Sequence, residues 1–221
     1  MFLSVIVIAR DGNWTPTNGI IYGTFLCTIL LHGLLATALQ PIINRLQTVS
    51  VIMNLILAFG TIIALPIGRR YNLNDGAYIF GHDENLTTWL AGWAFMLAWL
   101  SPIWTIGGFG SCIHISEEAH NAAKAVPRGI TASIAATWWL GFFLLIIISG
   151  TIDTNLSNVL GSPFGQPMAQ IYYDALGKHG AMGFMALLFI CQFQMGLSTV
   201  SASIRRAMIV FKACSSSSVS W

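Results

Sequence analysis

From Trp89 to Ser116 the chain carries no Asp, Glu, Lys or Arg. At about 1.5 Å per residue, a continuous helix over that run would be about 42 Å long, against roughly 30 Å of bilayer hydrocarbon. Gly107, Gly108 and Gly110 sit inside the run. The surplus length and the glycines predict two half-helices joined by unwound backbone near 107–111. Peptide groups freed in lipid are costly unless protein or a watery cavity receives them. A membrane helix broken in this way is the kind of backbone that holds a solute in a secondary transporter.

The rest of the chain has the same character. Of its 221 residues, 55% are hydrophobic and 8% are charged, where a soluble domain has about a quarter charged. So few charges cannot cover a water-soluble fold, and the fold class is all-α and polytopic, with the lipid bilayer as partner. A net charge of +2 without a basic, aromatic-interleaved patch gives no nucleic-acid surface. Cys27, Cys112 and Cys191 lie in apolar stretches and Cys214 near the C-terminus, with no Cys-x-x-Cys pair, so free thiols are expected. The opening MFLSVIVIA has no basic region before it and reads as the end of a span rather than a signal peptide. The expectation is a fragment of a longer design.

Apolar runs separated by turn signals divide residues 1–211 into one transmembrane domain. The spans are placed at 1–9 (partial), 20–39, 49–68, 89–117 (broken near 107–111), 129–152 and 180–211. Between the last two, AQIYYDALG predicts a short helix at the surface. The serine-rich 212–221 is expected to be a disordered tail. Placing the connection after the broken span in the cytoplasm puts Arg45, Lys124, Arg128, Arg205, Arg206 and Lys212 on the inner side, against Arg10, Arg69, Arg70 and Lys178 on the outer. The sequons at Asn13, Asn85 and Asn155 then all fall outside.

At the break the chemistry lies in the main chain. Amides near Ser111 open a half-helix and suit a carboxylate, while the carbonyls of Ile106, Gly107 and Gly108 suit an ammonium. Trp104 and Phe109 flank the break and could hold an amine by cation–π attraction, or simply pack. His114 and Glu118 follow Ser111 at one-turn intervals; a satisfied buried histidine competes with a lining role. Glu117, Glu118, Lys124 and Arg128 follow the membrane exit and read as a solvated cap or as a charge network. HISEEAH does not make a zinc site, because His114 and His120 diverge by about 120° on a helix. No metal, no cofactor and no enzymatic nucleophile–base pair is expected. Asn54 is expected to hydrogen-bond across helices. Ser198, Thr199, Ser201 and Ser203 are hydroxyls at near-helical spacing, which either bond back to their own helix or offer oxygens to an ion.

GGFGSCIHISEEAHNAAKAVPRG resembles the amino acid–polyamine–organocation transporters, in particular the fungal branch that carries amino acids, γ-aminobutyrate or choline. DGNWTPTN, LLHGLLATAL, SPFGQPMAQIYYDALG and QFQMGLSTVSASIRR carry the likeness through Arg206. The resemblance implies a fold of two inverted five-helix repeats, of which this chain would supply the end of helix 3 through helix 8. The partner of the break, in helix 1, would lie outside it. The resemblance also implies a substrate site at Trp104, Ile106, Gly107, Gly108, Phe109, Gly110 and Ser111. It implies an inner gate network at His114, Glu117, Glu118, Lys124 and Arg128, and an ion site at Ser198 and Thr199 if sodium is coupled rather than protons. Gly110 stands where many relatives carry an acidic residue. The implied function is a permease segment for a small amine-bearing solute in the plasma membrane or a vacuolar membrane, inactive alone. A truncated membrane protein that associates with a full-length transporter is the alternative.

Overall fold

A computed structural model describes residues 1–38, 42–107 and 121–217. Among these residues the chain is helical, without strands. In order, the helices are α1 (Phe2–Ala9), α2 (Asn18–Ala38), α3 (Ile43–Gly68), α4 (Gly76–Gly81), α5 (Ala91–Ala98), α6 (Leu100–Ile106), α7 (Ala122–Thr151), α8 (Leu156–Leu160) and α9 (Pro167–Ser217). Among the described residues, four stretches are long and apolar enough to cross a membrane: Asn18–Ala38, Arg45–Gly68, Ala122–Thr151 and Pro167–Ile204. Large apolar side chains remain exposed along them, such as Leu34 at 68% and Ile63 at 60%, as expected where lipid is the solvent. The protein is an integral, multi-pass membrane protein.

The chain divides into two compact units, residues 1–73 with 151–221, and residues 74–150. In the first unit, α1, α2 and α3 each pack on α9. Small residues let the helices approach closely. A Cβ at Gly68 would stand 2.2 Å from the carbonyl oxygen of Ala175, so the end of α3 touches main chain of α9 directly. Gly60 faces the ring of Phe184, and Gly196 faces the ring of His32. Buried Ala169, Tyr172, Ala181, Met185 and Leu197 mark the inward side of α9.

Several polar groups inside these helices are satisfied locally. Thr24, Thr28 and Thr37 donate their hydroxyls to carbonyls three or four residues earlier. Asn54 does not reach across to another helix: its side-chain amide donates to the carbonyl of Ser50 at 2.8 Å, one turn back on α3. That bond needs no neighbour, which is why an exposed position on α3 tolerates it.

One departure from helical backbone shapes α9. Gly177 has φ 69 and ψ −176, so Pro167–Leu176 and the helix from Lys178 onward meet at a kink. That conformation is essentially restricted to glycine. Beyond the last apolar stretch the helix is described as far as Ser217, into the segment expected to be disordered. Extending an existing helix adds one backbone bond per residue without a new nucleus.

In the second unit, Asp75 caps α4 by accepting from the amide of Gly76 at 2.8 Å. Its neighbour Asn74 meets the end of α7. The Asn74 amide donates to Gly150 O and its side chain to Ser149 O, both at 2.9 Å. Carbonyls that a helix end would leave unpaired are thereby occupied.

Candidate functional site

Pro102 has no N–H, so the carbonyl of Ala98 loses its partner four residues on. The helical run divides there into α5 and α6, although the junction residue Trp99 keeps right-handed angles of φ −67 and ψ −20. The amide of Ile103 donates to Trp99 O at 3.1 Å and restarts the ladder. It runs until Gly107, whose amide donates to Ile103 O at 3.0 Å. Gly107 itself turns extended, with φ −58 and ψ 173. An α-helix cannot continue through that ψ, so the last turn of α6 presents its carbonyls and the negative end of its dipole. A Cβ on Gly107 would stand 3.3 Å from the oxygens of both Ile103 and Trp104. Glycine keeps the approach to those carbonyls open.

Trp104 sits on α6 and is 86% exposed. Ile106 ends the helix, with its side chain outside the described set. Gly108, Phe109, Gly110, Ser111, His114, Glu117 and Glu118 lie outside the described residues. The chain is described again at Asn121, whose φ of 59 places it in the left-handed region that asparagine tolerates. Its carbonyl accepts from the amides of Lys124 and Ala125, opening α7. Lys124 and Arg128 are exposed on the first turns of that helix, with no ion-pair partner among the described residues.

The α9 hydroxyls are engaged in packing. Ser198 Oγ accepts from Gln47 Nε2 of α3 at 3.2 Å. Thr199 donates to Met195 O at 3.0 Å, Ser201 to Leu197 O at 2.8 Å and Ser203 to Thr199 O at 2.9 Å. The structure brings Ser198 and Thr199 together with their own helix and with α3.

Sequence reasoning did not single out His32. Its Nε2 lies 3.0 Å from the carbonyl oxygen of Phe193, and the two rings are 4.3 Å apart. A carbonyl only accepts, so Nε2 carries a proton. An open, mainly apolar cleft of about 280 Å³ lies beside it, lined by Phe2, Phe25, Thr28, Phe189 and Phe193. The available signal was a titratable residue in the middle of an uncharged span.

Residues 1–208 match the amino acid permease family. The chain is 42% identical to the GABA-specific permease of Saccharomyces cerevisiae over 92% of its own length and 36% of that protein. It is 34% identical to an uncharacterised amino-acid permease of Schizosaccharomyces pombe, over 80% of this chain and 33% of that one. Amino-acid permease 2 of Neurospora crassa is 26% identical over 96% of the chain and 40% of its own length. The chain thus spans little more than a third of the curated relatives it matches. No solved structure gives a significant match. Relatives of this kind are named as permeases, which are transporters rather than enzymes. With its helical, membrane-crossing architecture and a match that runs almost end to end, the chain belongs to the amino acid permease family.

Proposed function

We propose that this chain is a segment of a secondary transporter for amino acids, γ-aminobutyrate or a related amine such as choline, and that the solute binds where α6 ends. The observation that carries the reading is Gly107, where the helical ladder stops and the main chain turns extended. Carbonyls at that end offer an ammonium a partially negative, oriented set of acceptors. The segment from Gly108 to Ser111 supplies the other side of the site, with amides near Ser111 for a carboxylate. Trp104 and Phe109 add aromatic faces for the amine. His114, Glu117, Glu118, Lys124 and Arg128 form the inner gate network. Solute movement is coupled to protons or sodium. Support for the solute class comes from the 42% identity to a GABA-specific permease. The plasma membrane is the proposed site of action, with a vacuolar membrane as the alternative address.

The test is a chimera. Residues 1–208 replace the matching segment of the Saccharomyces cerevisiae permease, and uptake of labelled γ-aminobutyrate, amino acids and choline is measured in cells lacking their own carriers. Uptake is expected, and Gly107→Val in the chimera is expected to abolish it. A chimera that reaches the membrane in normal amount and carries none of these solutes refutes the reading. Vesicles holding only the 221 residues are expected to show no uptake, since the proposed partner of the break is not among them.

A further inference from the structure

We propose that Asn85 is an N-glycan acceptor and that the connection between α3 and α5 therefore faces the lumenal or extracellular side. Three Asn-x-Ser/Thr sequons occur, at Asn13, Asn85 and Asn155. They differ in their surroundings. Asn13 lies in the short link between α1 and α2, and its Thr15 is followed by Pro16, which restricts the backbone of the residue before it. Asn155 stands at the N-cap position of α8, so Leu156 and Ser157 are already held in helix. Asn85 lies in the connection between α3 and α5, well beyond the end of α3 and shortly before α5 begins at Ala91, and outside any helix. α2 and α3, each long and apolar enough to cross a membrane, stand between Asn13 and this connection in the chain.

Asn85, Leu86 and Thr87 are all exposed. Asn85 Oδ1 accepts from the Thr87 amide at 3.0 Å and from the Thr87 hydroxyl at 2.6 Å. Asn85 Nδ2 donates to the carbonyl of Trp89 at 2.8 Å. The hydroxyl and the amide of the sequon thus stand together on an open turn. The turn also survives modification. The side-chain nitrogen has two hydrogens, of which glycosylation removes one, and Oδ1 keeps both of its donors.

The transfer requires a lipid-pyrophosphate-linked oligosaccharide as donor. Nδ2 forms a bond to the anomeric carbon while the bond from that carbon to the pyrophosphate oxygen breaks. The lipid pyrophosphate leaves with the electron pair, and the amide proton passes to a base of the transferase. Nothing is oxidised or reduced.

The experiment translates the full chain with endoplasmic-reticulum microsomes, isolates the carbonate-resistant fraction and treats it with endoglycosidase. The wild-type chain is expected to show one enzyme-sensitive step in gel mobility. Asn85→Gln and Thr87→Ala remove that step, whereas Thr87→Ser, Asn13→Gln and Asn155→Gln keep it. Expression of the same set in yeast cells, with the modified asparagine mapped by mass spectrometry, is a second readout. A carbonate-resistant wild-type chain without glycan overturns the proposal, as does a glycan that persists in Asn85→Gln.

Discussion

The hydroxyls of Thr61 on α3 and Tyr172 on α9 lie 2.7 Å apart, and both residues are buried. Thr61 Oγ1 also lies 2.8 Å from the carbonyl oxygen of Leu57, one turn back on its own helix. A carbonyl only accepts, so the single Thr61 proton goes to Leu57 and Tyr172 is the donor to Thr61. Thr61→Val therefore strands a buried phenol O–H, at a cost of about 1–3 kcal/mol. Tyr172→Phe leaves Thr61 still bonded to Leu57 and costs about 0.5–1.5 kcal/mol. Thermal midpoints of the purified chain in detergent rank the two; Tyr172→Phe as the worse substitution would reverse the donor assignment.

Close approach of α3 and α9 makes a second expectation. Gly68→Ala forces main chain against main chain at Ala175 and costs about 1–3 kcal/mol. Gly196→Ala meets only the His32 ring, 2.8 Å away at its nearest atom, and a side chain can shift, so the loss is smaller. Gly33→Ala meets nothing within 4 Å and gains up to about 1 kcal/mol from helix propensity. The order of the three midpoints is the measurement, and a neutral Gly68→Ala would contradict the packing.

The kink in α9 gives a third. Gly177→Ala places a Cβ at φ 69 and ψ −176, with an expected cost of about 1–3 kcal/mol. Gly183→Ala, on the same helix with nothing within 4 Å, is expected to stabilise by up to about 1 kcal/mol. Equal midpoints for the two variants would mean that the backbone at 177 is not held in that conformation.

Beside the kink, Lys178 Nζ stands 2.7 Å from Asp11 Oδ2, tying the connection after α1 to α9. The two side chains are 32% and 55% exposed. Exposed pairs contribute about 0–1 kcal/mol and weaken with salt. Lys178→Met is expected to lower the midpoint slightly at low ionic strength and not at all in molar salt. A large or salt-independent loss would point to packing of the lysine stem instead.

An all-helical, polytopic architecture was legible because hydropathy is a sum, and sums over twenty residues survive local detail. α2 and α3 lie where uninterrupted apolar runs stand in the sequence. Single residues set what the sums miss. Pro102 divides α5 from α6 through one absent amide, although its position was visible. Gly177 joins the expected surface helix to the expected last span as one kinked rod, and glycine there reads equally well as a stop. Asn54 bonds to Ser50 because a local acceptor is always within reach, whereas a partner helix is not. At the candidate site, run length and Gly107, Gly108 and Gly110 together pointed to a break; the structure describes extended backbone at Gly107, and the other two lie outside the described residues. His32 escaped notice because its partner is a main-chain carbonyl on another helix, which leaves no mark in sequence spacing.

α9 receives α1, α2 and α3 along one length of rod. Moving any one of the three reshapes a wall that the other two also lean on, so compliance within that group is shared and therefore small. Departures from regular helix lie elsewhere, at Gly107, where α6 ends in extended backbone, and at Gly177, where α9 kinks.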